Sequence, residues 1–177
     1  MSGIVQSTLH LLSGWQPRKD STAASDAKIL NAAIALEYEG IAAYQLAAES
    51  GLLQKPVLDV AMKFKAQHEL HADFLARTVK TLGGTPAEPK KAADYNFPTE
   101  TLKTQTDVLR FGAGLEKAVA SAYLGMVPVL EDRHLAKAIA SIMGDETMHW
   151  AVLLQALGED PVPVAFIPAG DLPARPH

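Results

Sequence analysis

The apolar positions of this chain fall into four long stripes that step by three or four residues, the repeat of one helical face. The first is Leu30, Ile34, Glu37, Ile41, Tyr44 and Ala48, which predicts a helix from about Asp26 to Glu49. Gly51 ends it and Pro56 opens the next. The second stripe is Val57, Ala61, Phe64, His68, His71, Leu75, Val79 and Leu82, a helix that Gly83-Gly84 terminates. The third is Leu102, Leu109, Gly112, Glu116, Val119, Tyr123, Met126 and Leu130. It predicts a helix from about Glu100 to Leu130, capped by Thr99, that Pro128 kinks or ends. The fourth is Leu135, Ile139, Ile142, Glu146, His149, Leu153 and Leu157, a helix from about His134.

The flanks and connections complete the picture. Residues 3–14 fit a short amphipathic helix with Ile4, Val5, Leu9 and Leu12 on its apolar face, stopped by Pro17. Arg18 to Ser25 is largely polar and reads as a loop, with Ser25 or Asp26 as the next cap. Residues 83–99 carry Pro86, Pro89 and Pro98 and no helical period. A loop that long in a compact domain needs a reason, and a crossover between parallel helices supplies one. The expected fold is all-α: a four-helix bundle with one long crossover between helices 2 and 3. Residues 1–25 form an N-terminal extension, 26–158 the bundle and 159–177 a Pro-rich C-terminal tail. The tail is expected to pack along the bundle through Val164, Phe166 and Ile167.

Polar residues interrupt these stripes in a pattern that occurs twice. The first copy reads Leu36-Glu37, Ala43-Tyr44, His68-x-x-His71-x-x-x-Leu75 and Leu82-Gly83-x-x-Pro86. The second reads Leu115-Glu116, Ala122-Tyr123, Glu146-x-x-His149-x-x-x-Leu153 and Leu157-Gly158-x-x-Pro161. Six groups able to ligate a metal therefore face the core: Glu37, His68, His71, Glu116, Glu146 and His149. A buried carboxylate is costly unless it is paired, protonated or bound to a cation. A lone buried histidine is usually a satisfied core residue, but six such groups call for a common cause. A divalent cation supplies it, and no Lys or Arg falls on the stripes to make a purely ionic alternative. Tyr44 and Tyr123 lie two turns beyond Glu37 and Glu116 on the same faces. They read as core tyrosines or as hydrogen-bond donors to a ligand. Glu39, Glu49, Glu69 and Asp73 read as exposed charges, His10, His134 and His177 as solvated, and Trp15 and Trp150 as packing residues.

Composition narrows the classes. The chain has 177 residues, 48% of them hydrophobic, which suits one core. A net charge of −4 offers no basic stripe for nucleic acid. The absence of cysteine excludes disulfides, thiolate-held clusters and a thiolate nucleophile within these residues. Met1 to Trp15 lacks Lys and Arg and makes a poor signal peptide. No apolar run reaches the ~18 residues of a membrane span, so a cytoplasmic location away from membranes is expected.

Leu36-Glu37-Tyr38 with Tyr44, His68-x-x-His71, Glu116 with Tyr123, and Glu146-x-x-His149 resemble the ferritin-like superfamily, in particular its rubrerythrin-type and small bacterial branches. The resemblance spans roughly residues 26–158. It implies a pair of irons, or manganese with iron, with Glu37 and Glu116 as single carboxylates. His71 and His149 would be terminal imidazoles and Glu146 a bridge. His68 departs from the pattern, which places Glu there. A histidine that ligates through one nitrogen makes zinc or a single ion a competitor. The resemblance further implies chemistry on dioxygen or peroxide, of the ferroxidase or peroxidase kind, with Glu37, Glu116 and Glu146 as the catalytic carboxylates. Electrons would come from Fe(II) or an external donor, and a homodimer is the expected assembly. Two alternatives stand beside this reading. One is a non-catalytic metal-binding, storage or stress-related bundle. The other is a metal-free bundle, in which replacing Glu37 and Glu116 by Leu would stabilise the fold.

Overall fold

A computed structural model describes residues 12, 14–16 and 21–168. Four long helices carry the fold, and the described residues contain no strand. They are α1 (Ser21–Glu49), α2 (Lys55–Thr81), α3 (Gln105–Met126) and α4 (Arg133–Ala156). α1 packs along α2, and α3 along α4. The two hairpins then join, mainly through α1 against α3 and also through α2 against α4.

Local chemistry sets the helix ends. Pro56 occupies the first turn of α2, where its missing N–H is no loss. Thr104 caps α3 in a reciprocal box with Asp107. Asp132 caps α4 by accepting from the His134 amide. α2 and α4 end alike, at Leu82-Gly83 and Leu157-Gly158. Gly83 and Gly158 take φ of +83° and +75°, a region that disfavours side chains.

Three expected boundaries are corrected. α1 already runs from Ser21, so Asp26 lies inside the helix and does not cap it. Asp26 is instead buried and accepts from the amides of Glu131 and Asp132 in the α3–α4 connection. α3 starts after Thr104, and Thr99 belongs to a separate 3₁₀ turn, Thr99–Thr101. α3 also stops at Met126, where Pro128 converts the chain to the 3₁₀ turn Val127–Val129. The tail departs from expectation too, since Val164 and Phe166 are exposed. The expected helix over residues 3–14 lies largely outside the described residues.

The connection between α2 and α3 begins where Asn31 of α1 holds Thr85 and Ala87. It ends where Gln105 accepts from the Gln54 amide beside the α1–α2 turn. Asn31 lies about a third of the way along α1 and Gln54 lies beyond its end, so the connection runs along the rest of that helix.

Two apolar clusters fill the bundle. Leu30, Ile34, Leu75, Val79, Leu135 and Ile139 belong to one. Tyr44, Phe64, Leu109, Trp150 and Leu153 belong to the other. Along every helix the ligand-type residues Glu37, His68, Glu116 and Glu146 fall between members of these clusters. The polar layer thus lies mid-bundle, sealed from water at both ends.

Candidate metal centre

Each helix delivers its polar residue to the same depth. Glu37, His68, Glu116 and Glu146 are fully buried, His149 nearly so, and His71 keeps a small exposed edge. All six residues singled out from the sequence meet here. Glu69, by contrast, is exposed and paired with Lys65, and α2 runs through this region without interruption.

The six groups form two overlapping donor sets. Glu37, His68, His71 and Glu146 make one, and His68, Glu116, Glu146 and His149 the other. In the first, His68 Nδ1 is 2.7 Å from Glu37 Oε2, and His71 Nδ1 is 3.0 Å from Glu146 Oε1. In the second, His149 Nδ1 lies 3.1 Å from Glu146 Oε2 and 3.4 Å from Glu116 Oε1. Ligands about 2.0–2.2 Å from one ion are about 3.0–3.5 Å from one another. Three of these four edges therefore have the size of a coordination shell, and the 2.7 Å His68–Glu37 contact is a hydrogen bond.

Among the described residues, three buried side-chain atoms have no hydrogen-bond partner: His71 Nδ1, Glu116 Oε2 and Glu146 Oε1. Such orphans are rare in folded proteins. His71 Nδ1 and Glu146 Oε1 are close, yet not aligned to share a proton. A cation between them would use both, and the mixed nitrogen and oxygen donors suit iron, manganese or zinc. The residues fit a metal.

Hydrogen bonds from the opposite hairpin hold the carboxylates. The Tyr44 hydroxyl donates to Glu116 Oε1, and the Tyr123 hydroxyl donates to Glu37 Oε1. Each tyrosine serves the carboxylate of the other half. Burial, and then the neighbouring Glu116 or Glu37 charge, pushes both phenols well above their usual range. They stay protonated donors.

The distal imidazole nitrogens are also occupied. Asp145 Oδ2 lies 3.4 Å from His71 Nε2 and 3.5 Å from His149 Nε2, while Gln67 Oε1 is 3.1 Å from His149 Nε2. Neither Asp145 nor Gln67 was singled out by the stripes. Each directly precedes a stripe residue, Glu146 and His68, and that adjacency was their one sequence signal. Phe64 stacks on the His149 ring at 4.0 Å. Gly40 also escaped notice. A Cβ there would lie 2.9 Å from His68 Cε1 and Nδ1, so only glycine leaves room for the ring.

The electrostatics revise one expectation. Burial lowers the pKa of all three histidines, but the surrounding carboxylates outweigh it. His68 rises well above the ordinary range, His71 to about 12 and His149 to about 9. Burial raises Glu37 and Glu116, yet their histidine contacts hold both below the usual carboxylate range. Glu146 is raised, because burial there exceeds what His149 and His71 offset. The missing counter-charges are therefore imidazolium ions, and a purely ionic cluster does have cations.

A family model described as a ferritin-like domain matches residues 25–159. Among solved structures, the chain is similar to a conserved hypothetical protein from Mycobacterium tuberculosis, at 22% identity and a TM-score of 0.67. That match covers 82% of this chain and 99% of the other, and at this identity it speaks for the fold alone. No curated protein matches. No helix among the described residues is long and apolar enough to cross a membrane.

Proposed function

This chain belongs to the ferritin-like domain family, and on that premise we propose that it is a metalloprotein with a dinuclear non-haem centre, acting on dioxygen or peroxide as a ferroxidase or peroxidase. The observation that carries the reading is the pair of overlapping four-residue donor sets, with three buried ligand atoms left without partners. Glu37, His68, His71 and Glu146 would hold one ion, and His68, Glu116, Glu146 and His149 the other. Bound there, a pair of irons, or manganese with iron, would supply the electrons that reduce dioxygen or peroxide.

The chain's own residues prepare that chemistry. Tyr44 and Tyr123 fix the Glu116 and Glu37 carboxylates from across the bundle. The apolar clusters on either side exclude water and strengthen every charge interaction in the layer. Asp145 is the partly exposed carboxylate of the site and faces His71 Nε2. Its charge stabilises a proton on that nitrogen and orients the ring. Electrons beyond those of Fe(II) would come from an external donor, and a homodimer remains the assembly to test by light scattering.

Elemental analysis after anaerobic Fe(II) or Mn(II) loading tests the reading, followed by assays of dioxygen and peroxide consumption. Turnover that appears with the metal and vanishes with it is expected. Peroxide consumption that persists in metal-free protein would overturn the proposal. The imidazolium–carboxylate compensation favours a second reading, a bundle that folds and persists without metal. That reading predicts no retained iron, manganese or zinc.

A further inference from the structure

The two donor sets share their central members, Glu146 and His68. These occupy equivalent places in the repeat, each three residues before the terminal histidine of its helix. Glu146 spans the sets end to end, one oxygen toward each. Its Oε1 faces His71 Nδ1 at 3.0 Å and its Oε2 faces His149 Nδ1 at 3.1 Å.

His68 spans them as well. Its Nδ1 faces Glu37 Oε2 at 2.7 Å and Glu146 Oε1 at 3.7 Å, both in the first set. Its Nε2 faces Glu116 Oε1 at 3.4 Å, in the second. The ring is fully buried and lies against Gly40, so it has little freedom to turn either nitrogen elsewhere. An imidazole and a carboxylate have the same three-atom frame, with a donor at each end of a central carbon. Their lone pairs differ in direction. Those of a carboxylate run nearly parallel, whereas those of an imidazole diverge.

We infer that His68 bridges the two ions through both ring nitrogens, Nδ1 to the ion of Glu37 and His71 and Nε2 to the ion of Glu116 and His149. A ring that donates through both nitrogens carries no proton, so the ring protons of His68 leave to solvent as the ions bind. The divergent lone pairs hold the ions far apart. Twice a metal–nitrogen bond of about 2.0–2.1 Å plus the width of the ring gives a separation of about 6 Å. Ordinary two-metal sites hold their ions about 3.5–4 Å apart. The departure from the family pattern is then a change of spacing between ions, not the loss of one. This inference rests on the dinuclear reading above.

The test is X-ray absorption on the full chain loaded anaerobically with Fe(II), alongside elemental analysis. Two irons per chain, imidazole scattering and no iron–iron vector below about 4 Å are expected. His68→Glu should keep two irons and bring in the short vector. His68→Gln, with no second ring nitrogen, should drop uptake from two irons to one. Two irons with a short vector in the unaltered protein would overturn the bridge while leaving the dinuclear reading intact. So would full uptake by His68→Gln. One iron or none in the unaltered protein would overturn both.

Discussion

The two hairpins of this bundle can be laid on one another residue by residue. Glu37 matches Glu116, Tyr44 matches Tyr123, and His71 matches His149. The tyrosines respect the match, since each donates to the other half's carboxylate. The differences gather at the centre. α2 has Gln67-His68 where α4 has Asp145-Glu146, and α1 has Gly40 where α3 has Val119. These changes belong together. An imidazole is bulkier than a carboxylate, and the backbone facing it has given up its Cβ. Helical periodicity fixes the frame of each half, and steric and charge matching at a few inner positions sets how the halves differ.

The harshest break removes a carboxylate from one half. Glu37→Leu leaves His68 and His71 facing one fewer counter-charge. Breaking a buried pair from one side costs about 3–5 kcal/mol. The metal-free protein should lose stability on that order in urea unfolding, and metal uptake should fall. Stabilisation would instead support a bundle whose polar layer has no metal role.

Gly40→Ala tests whether the paired changes are coupled. The new methyl meets the His68 ring at 2.9 Å, and overpacking of this kind costs about 1–3 kcal/mol. Combining it with His68→Glu, which makes the first half resemble the second, should recover part of that loss. A double-mutant cycle that is simply additive would show that the two positions do not communicate.

Changing pH separates the cluster's two charge states. His149 and His71 have folded pKa values near 9 and 12, above the unfolded value of 6.5. Their contribution to metal-free stability is full below about pH 6.5 and is lost as pH rises through those folded values. The metal-free Tm should therefore fall steadily as pH rises from about 6.5 to about 9.5. Metal must displace the imidazolium protons, so apparent metal affinity should rise over the same interval. A metal-free Tm that climbs with pH would mean that the histidines are buried neutral.

Much of this architecture was legible in the chain. The four stripes gave the helices, and the repeat gave all six inward ligand-type residues and the tyrosines. Features that depend on contacts across the bundle were not legible. Asp26 has the composition of a helix cap, yet its carboxylate serves amides in the α3–α4 connection. Thr99 and Thr104 are both plausible caps by residue type. Asp107 three residues on decides for Thr104. Gly40 offered a signal, because glycine inside a helix costs about 1 kcal/mol relative to alanine and needs a packing reason. The imidazolium charges were hidden because they exist only once carboxylates from other helices surround each ring.

The smallest expected effects compare the residues that meet the distal imidazole nitrogens. Asp145 contacts both His71 and His149 and carries a charge, whereas Gln67 is neutral and meets His149 alone. Charge-assisted contacts are worth about twice neutral ones. Asp145→Asn should therefore weaken metal binding about tenfold, at the low end of what such supporting partners contribute. Gln67→Ala should cost less, about 0.5–1.5 kcal/mol of stability, with a smaller change in metal affinity. Competition with a chelator of known affinity reads both. If Gln67→Ala proves the more damaging, the support of the imidazoles comes from packing around His149. Asp145 would then be a surface charge that happens to lie nearby, and the half of the site built on α2 would have no polar outlet of its own.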